Sequence, residues 1–326
     1  MVSRKYLRNA LAGAVISLAI TLIVFNIFKV SPQDILSLKP SILALAIALN
    51  LVRFGAQGLR LHLLLRKFSS MPSGYLDSFI IRGASEFFAL TTIPFMADEA
   101  ARTWLLTERG EQPAKAFWVS FTEMLLDILV GASIALAAGL QALTANIHYL
   151  GLVILAISST QLLIVAIFLW MALKSSSLAE RIAGVMPLPR RVRRWLIDSL
   201  DDMGRVFAPL LSRPATWTFT WLMLSTLIVL SAPALTLYLM LGQGGFYGFT
   251  ASLFTFQSGN ALGVLPVTVG GSGLTEAGVY LYLKEVYGND AAPVVIQWRL
   301  ATYHLSLIIS GLMFAIEVVG MRRTRQ

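Results

Sequence analysis

The chain has no cysteine, which excludes disulfides, thiolate metal ligands and cysteine nucleophiles. Histidine is nearly as scarce: His62, His148 and His304 lie far apart in sequence. Charged residues make up 13% of the 326 positions, where a soluble domain carries about 25%. Hydrophobic residues make up 56%, and the mean hydropathy is +0.72. This balance excludes a soluble globule, and also a disordered chain, which needs low hydrophobicity. No His-Glu-x-x-His zinc motif, Gly-x-Ser-x-Gly elbow or phosphate-binding P-loop occurs. Neither an enzyme, a metal nor a cofactor is therefore expected.

What remains is apolar length. At about 20 residues per span, the chain accommodates roughly six to eight helices, with no stretch left for an appended soluble catalytic domain. The net charge of +9 does not point to nucleic acid, because in a membrane protein the placement of charges matters more than their sum.

The apolar run at 9–28 follows Arg4, Lys5 and Arg8 and is not followed by a small-residue cleavage site. It reads as a first helix rather than a signal peptide. Further spans are expected at 41–65, 115–140, 149–173, 214–241 and 293–319. Two apolar stretches, 75–109 and 246–287, are broken by proline, glycine and charge. If both are hairpins that enter and leave on one side, 1–8, 66–74, 110–114, 174–213 and 320–326 share a side. Those segments hold the clustered Arg and Lys, as cytoplasmic segments do. The expected fold is an all-α polytopic membrane protein of six full spans plus two broken or re-entrant hairpins. Both termini are expected in the cytoplasm, and the membrane is expected to be the inner, plasma membrane. A kinked span has the same composition as a hairpin.

The polar segment 174–213 contains its own helix. Val192, Trp195, Leu196, Leu200, Met203, Val206, Phe207 and Leu210 follow helical spacing. Arg190, Arg191, Arg193 and Arg194 crowd its start. One reading lays this helix on the inner leaflet, with 190–194 toward anionic headgroups. The other makes it a solvated loop helix that only anchors topology.

The two broken stretches resemble each other. Leu90–Ala100 contains Pro94 and ends in Glu99-Ala100, and Leu262–Ala277 contains Pro266, Gly270, Gly271 and Gly273 and ends in Glu276-Ala277. With their flanking spans they form two units, 41–140 and 214–319, of opposite orientation, joined by the helix at 149–173. Inverted repeats with broken helices near the midplane are a transporter pattern. Backbone groups freed by a break survive only when buried in protein or facing a water-filled cavity, and N–H groups at a half-helix start attract anions. Pro and Gly that merely kink two ordinary spans are the plainer reading.

Charges within the spans are costly, about 2.5–3.5 kcal/mol each at the bilayer centre, and need partners or a cavity. The candidates are Arg53, Arg60, Arg82, Glu86, Asp98, Glu99, Arg102, Glu123, Asp127, Glu276, Arg299 and Glu317. Glu99 and Arg102 share a helix face and are expected to pair. Glu123 and Asp127 share another face, so a cation from Arg82, Arg102 or Arg60 is needed beside them. Arg60 and Glu317 lie near the ends of apolar runs, where snorkelling suffices. Arg53 and Arg299 lie deeper. Several Arg beside several carboxylates suit a lipid phosphate, with protons or cations as coupling partners.

Taken together, Pro94, Asp98 to Arg102, Glu123 with Asp127, and Leu265-Pro266 through Gly270-Gly271-Ser272-Gly273 to Glu276-Ala277 resemble the transmembrane region of lysylphosphatidylglycerol synthases and their stand-alone, flippase-like relatives. The resemblance runs from about residue 10 to 318, and the glycine-rich segment with its Glu is its most specific part. It implies lipid translocation without aminoacyl transfer, since no synthase domain is expected within these residues. For the stand-alone relatives it implies cargo such as hopanoids or polyprenyl-linked intermediates. It places Glu99, Arg102, Glu123, Asp127 and Glu276 on family motif positions. Two positions depart from the family pattern: Asp98 replaces a usual Gly, and Met124 a frequent Arg. Both changes lower the net positive charge of the expected cavity.

The resulting expectation is a lipid transporter whose headgroup site is built from Arg102, Arg82 and Arg53. Glu99, Asp98, Glu276, Glu123 and Asp127 are expected to balance charge or carry protons. A non-transporting accessory protein of a lipid or cell-envelope pathway, working with a biosynthetic enzyme, is the alternative, and a small-solute or ion transporter is the third. A homo-oligomer is compatible with all three.

Overall fold

The computed structural model describes residues 39–69, 74–92, 97–175, 177, 190–210, 216–242, 245–288 and 292–323, plus isolated positions between 15 and 33, with the backbone alone at 190–196, 208, 216, 245–247 and 321–323. Apart from short turns, the described residues are helical. In chain order the helices are α1 (Pro40–Phe68), α2 (Tyr75–Thr91), α3 (Ala97–Glu108), α4 (Pro113–Thr144), α5 (His148–Leu173), α6 (Arg190–Leu210), α7 (Thr216–Leu241), α8 (Gly245–Gly263), α9 (Leu274–Tyr287), α10 (Ala292–Arg299) and α11 (Leu305–Arg323). A 3-10 turn (Val269–Gly271) precedes α9, and a π turn (Leu300–His304) joins α10 to α11.

Among the described residues, five helices are long and apolar enough to cross a membrane: Pro40–Phe68, Pro113–Thr144, His148–Leu173, Trp217–Leu241 and Ala292–Gly320. They coincide with the five downstream spans expected from the sequence, so the chain is a polytopic all-α membrane protein. Of the span at 9–28, only Val15, Ala19, Leu22, Ile23 and Asn26 are described, all helical and exposed. Proline at the start of α1 and of α4 suits a first turn, where its missing N–H is not needed. α5 is apolar on all sides and leaves Leu152, Leu163, Ile167, Trp170 and Leu173 uncovered. Such a surface fits lipid rather than water.

The two broken stretches are helical hairpins. Helices α2 and α3 flank 92–96, and Arg109, just beyond α3, bonds Asp77 in the first turn of α2 at 2.7 Å. The chain thus returns to the end where it set out. The expected break at Pro94 falls outside the described residues. Helices α8 and α9 flank a turn that contains Pro266 and the glycines. They approach so closely that a Cβ on Gly278 would lie 2.7 Å from the Gly259 Cα.

The hairpins enter from opposite ends. Arg109, at the base of the first, directly precedes the start of α4, whereas Tyr282 and Tyr287, at the base of the second, bond Gln141 near the end of α4. Their tips meet: the Gly270 N–H donates to the Thr92 carbonyl at 2.9 Å.

Helix α6 forms as expected, and part of its apolar face packs on protein. Leu200, Met203, Val206 and Phe207 are buried against Trp118 and Phe121 of α4 and Val165 and Ala172 of α5. Burial of that part among protein side chains removes apolar area that would have entered the membrane. The side chains of Arg190, Arg191, Arg193 and Arg194 lie outside the described residues.

Candidate functional site

The charged residues of α1 to α4 converge on one another. Helical spacing turns Arg53, Gln57 and Arg60 of α1 inward on one face, with Arg82 and Glu86 of α2 and Glu123 and Asp127 of α4 each a helical turn apart. Glu123, 1% exposed, is the hub. Its Oε1 lies 3.1 Å from Arg60 Nε, and its Oε2 lies 2.5 Å from Arg102 Nη1 and 3.6 Å from Arg82 Nε. Arg60 also grips both oxygens of Asp127, with Nη2 to Oδ2 at 2.8 Å, and donates to the Thr226 hydroxyl of α7. Asp98 pairs with Arg102 and, at 3.1 Å, with Arg82. Glu86 accepts from Arg53 at 2.6 Å, from Gln57 at 2.8 Å and from Arg82 at 3.2 Å.

Four guanidinium groups (Arg53, Arg60, Arg82 and Arg102) thus meet four carboxylates (Glu86, Asp98, Glu123 and Asp127). The web is neutral, which is how charge survives inside a bilayer. Removing one member would leave its partner buried and unpaired, at a cost of about 3–5 kcal/mol.

The second half carries a smaller arrangement. Arg299, the last residue of α10, donates from Nε to Glu276 at 3.0 Å and from Nη2 to the Gly270 carbonyl at 2.9 Å. Its guanidinium lies 4.0 Å over the Tyr303 ring. The other Glu276 oxygen accepts the Gly273 N–H, so the start of α9 is already capped. The Tyr303 hydroxyl donates to the Leu90 carbonyl at 2.6 Å, and Asn50 of α1 donates to the Ala301 carbonyl in the π turn at 2.6 Å. Arg53 also reaches the Ser306 hydroxyl at 2.9 Å. Arg299 and the π turn therefore touch both hairpin tips and α1. A π turn in a long helix often marks a functional position.

Between the tips lies a cavity of about 360 Å³ that opens to the outside. It falls in the size range of small-molecule sites, about 300–1,000 Å³. Arg53, Glu86, Asp98, Glu99 and Arg299 give it charge, and Asn260, Thr275 and Ser306 add neutral polar groups. Met124, Ile128, Phe256 and Trp298 supply apolar wall.

Against the sequence-stated candidates, the structure brings Glu99, Asp98 and Arg53 onto this cavity. Arg82, Arg102, Glu123 and Asp127 form the web behind its wall, and Glu276 holds Arg299 from behind. Among the break residues, Gly270 reaches the cavity, whereas Pro266 is exposed in the turn. Arg299 carries more than its depth alone suggested.

Several expectations are corrected. Arg102 pairs with Asp98, one turn back, and not with Glu99, which turns toward the cavity. Arg60 does not snorkel: it is fully buried because α1 runs on to Phe68 and keeps Arg60 inside. Glu317 does not snorkel either. It is 1% exposed and takes both a 2.8 Å and a 2.6 Å bond from Arg109. The start of α9 offers no free amide for an anion at Gly273, since Glu276 occupies it. The bonds of Asn50, Gln57 and Tyr303 had no signal in the sequence, for a neutral residue in an apolar run breaks no pattern.

The family model for the lysylphosphatidylglycerol synthase TM region matches residues 10–310. The chain belongs to this family. The matched region runs from before α1 into α11, so both hairpins, the charge web and the cavity of this lysylphosphatidylglycerol synthase TM region lie inside it. Membership links the chain to lipid or cell-envelope chemistry at a membrane. No curated protein is significantly similar to the chain in sequence. Asp98 and Met124 both line the cavity.

Proposed function

We propose that the protein translocates a polar-headed lipid across the inner membrane, passing the headgroup through the cavity between the hairpin tips while the tails stay in the bilayer. The cavity carries this reading. It is open, it has charged and apolar walls together, and it sits where two hairpins from opposite ends meet. Broken helices at the contact of two opposed units are where transporters place their sites. Arg53 and Arg299 take the headgroup phosphate, since guanidinium groups suit its planar, bidentate recognition. Arg82 and Arg102, first considered for that role, instead hold the wall in shape. The protein acts without covalent chemistry.

The clustered basic residues support cytoplasmic termini, with 190–194 near anionic headgroups. An enzyme that makes the lipid is the natural partner. An open cavity with several charged groups on an otherwise apolar wall also favours transport over the accessory reading, for which a dry midplane is expected.

The test is translocation of headgroup-labelled lipids in liposomes, followed by quencher access to the inner leaflet. Wild type is expected to equilibrate the label. Arg53→Gln and Arg299→Gln are expected to slow it about tenfold or more, the worth of one charged hydrogen bond. Full activity in both variants at matched protein density would sink the cavity assignment.

A further inference from the structure

The other carboxylates around the cavity, buried or partly buried, each have a guanidinium. Glu86 has Arg53, Asp98 has Arg82 and Arg102, Asp127 has Arg60, Glu276 has Arg299, and Glu123 has three. Glu99 stands apart. It is 7% exposed, it lines the cavity, and among the described residues no ion pair within 4 Å includes it. Asp98 beside it is a like charge, already committed to two Arg.

An ionised carboxylate so placed, without a cation, is costly to keep. It must find a proton or another cation. Hard metal cations want about six or more oxygen ligands, and the described residues contain no group of three or more His, Cys, Asp or Glu able to hold one. Two guanidinium groups on the same cavity wall would also repel a metal ion. A proton needs no such ligand cage, and it leaves a neutral acid rather than a net positive ion beside them.

We propose that Glu99 is the proton site of the cavity, and that its protonation is the step that couples translocation to a pH gradient. The site holds H+ as the neutral acid when the cavity is closed to water. It releases the same proton to water as the carboxylate when the cavity opens, with no bond made or broken elsewhere. The groups that set its balance are Asp98 and Arg102 on its own helix, Arg82 and Glu86 on α2, and Glu123 and Asp127 on α4. On the far side of the cavity stand Arg53 on α1 and Arg299 and Tyr303 on α10 and the π turn, with His304 beyond them. Because the web is neutral without Glu99, its charge is the one that can change without leaving an Arg unpaired. The proton site stands on the geometry alone, whereas its coupling role rests on the translocation reading above.

The site is tested on the purified full chain in nanodiscs with dicyclohexylcarbodiimide, which attacks protonated carboxyl groups in apolar surroundings, and the adducts are mapped by mass spectrometry. The expected adduct lies on Glu99, falls about tenfold per pH unit above its midpoint, and disappears in Glu99→Gln. Glu123 and Glu86, held by Arg, stay unlabelled. Infrared difference spectra across the same pH range provide a measure that needs no reagent access: a carboxylic acid carbonyl band that titrates in wild type is expected to vanish in Glu99→Gln. If the wild-type and Glu99→Gln spectra are superimposable at every pH, the proton site is overturned, whatever the labelling shows.

Coupling is tested in liposomes under an imposed pH gradient. Lipid movement that ignores the gradient while Glu99 still titrates overturns the coupling and leaves the site. No lipid movement at all with Glu99 still titrating overturns the translocation reading instead.

Discussion

The Gly270 amide and the Thr92 carbonyl, 2.9 Å apart, join two hairpins that enter the protein from opposite ends. Gly270 can make this contact because it has φ +56° and no side chain. A Cβ there would lie 2.7 Å from the Leu90 carbonyl and 2.4 Å from the Tyr303 hydroxyl.

Gly270→Ala is therefore expected to lower the thermal unfolding midpoint in detergent and to impair lipid movement. The left-handed conformation alone costs about 1–2 kcal/mol in an alanine. Gly288→Ala is the control. It has φ +65° and nothing within 4 Å of its Cβ position, so it carries the conformational cost without the clash. Equal shifts for the two variants would mean that the tip contact does not matter.

Arg60→Ala is expected to destabilise by about 3 kcal/mol, because it leaves the partly buried Asp127 without its cation and removes one of the three guanidinium groups around Glu123. Adding Asp127→Asn removes the stranded charge. The double variant should then unfold at a higher temperature than Arg60→Ala alone. Purely additive losses would show that the Arg60–Asp127 pair is not coupled.

Arg109 bridges a half-exposed Asp77 and a buried Glu317, whose side chains are 47% and 1% exposed. Asp77→Asn should cost under about 1 kcal/mol, as exposed pairs do. Arg109→Ala leaves Glu317 unpaired and should cost about 1–3 kcal/mol, a range reduced because Arg109 itself is partly exposed. Chemical unfolding of the two variants in the same detergent separates these outcomes, and similar midpoints would contradict the assignment.

Much of the fold was legible in the sequence, and for a simple reason. Apolar runs long enough to span a bilayer have few other uses, so the positions of α1, α4, α5, α7 and the α10–α11 pair followed from hydropathy alone. Both hairpins announced themselves by proline, glycine and charge in the middle of apolar sequence.

The pairing of charges was less legible. Arg60 meets Asp127 across 67 positions and Arg53 meets Glu86 across 33, and no periodicity within one helix reports such contacts. Within α3, helical spacing allowed Arg102 either Asp98 or Glu99. The choice was made by Glu123 and Arg82 on neighbouring helices, which draw Arg102 and Asp98 to one side and leave Glu99 to the cavity. The contribution of Asn50 and Tyr303 depends on a π turn, whose one extra residue has no compositional mark.

The charge web has a mechanical consequence. The first hairpin is riveted to α1 and α4 by ion pairs that would have to separate inside a bilayer before it could shift. The second hairpin is seated on α4 through Ala135, Ala138 and Ala142 and through neutral bonds from Tyr282, and its one buried ion pair among the described residues, Glu276–Arg299, runs instead to α10. The two halves are thus anchored unequally: several buried ion pairs tie the first hairpin to two helices, and a single one ties the hairpin that carries Gly270 to α10.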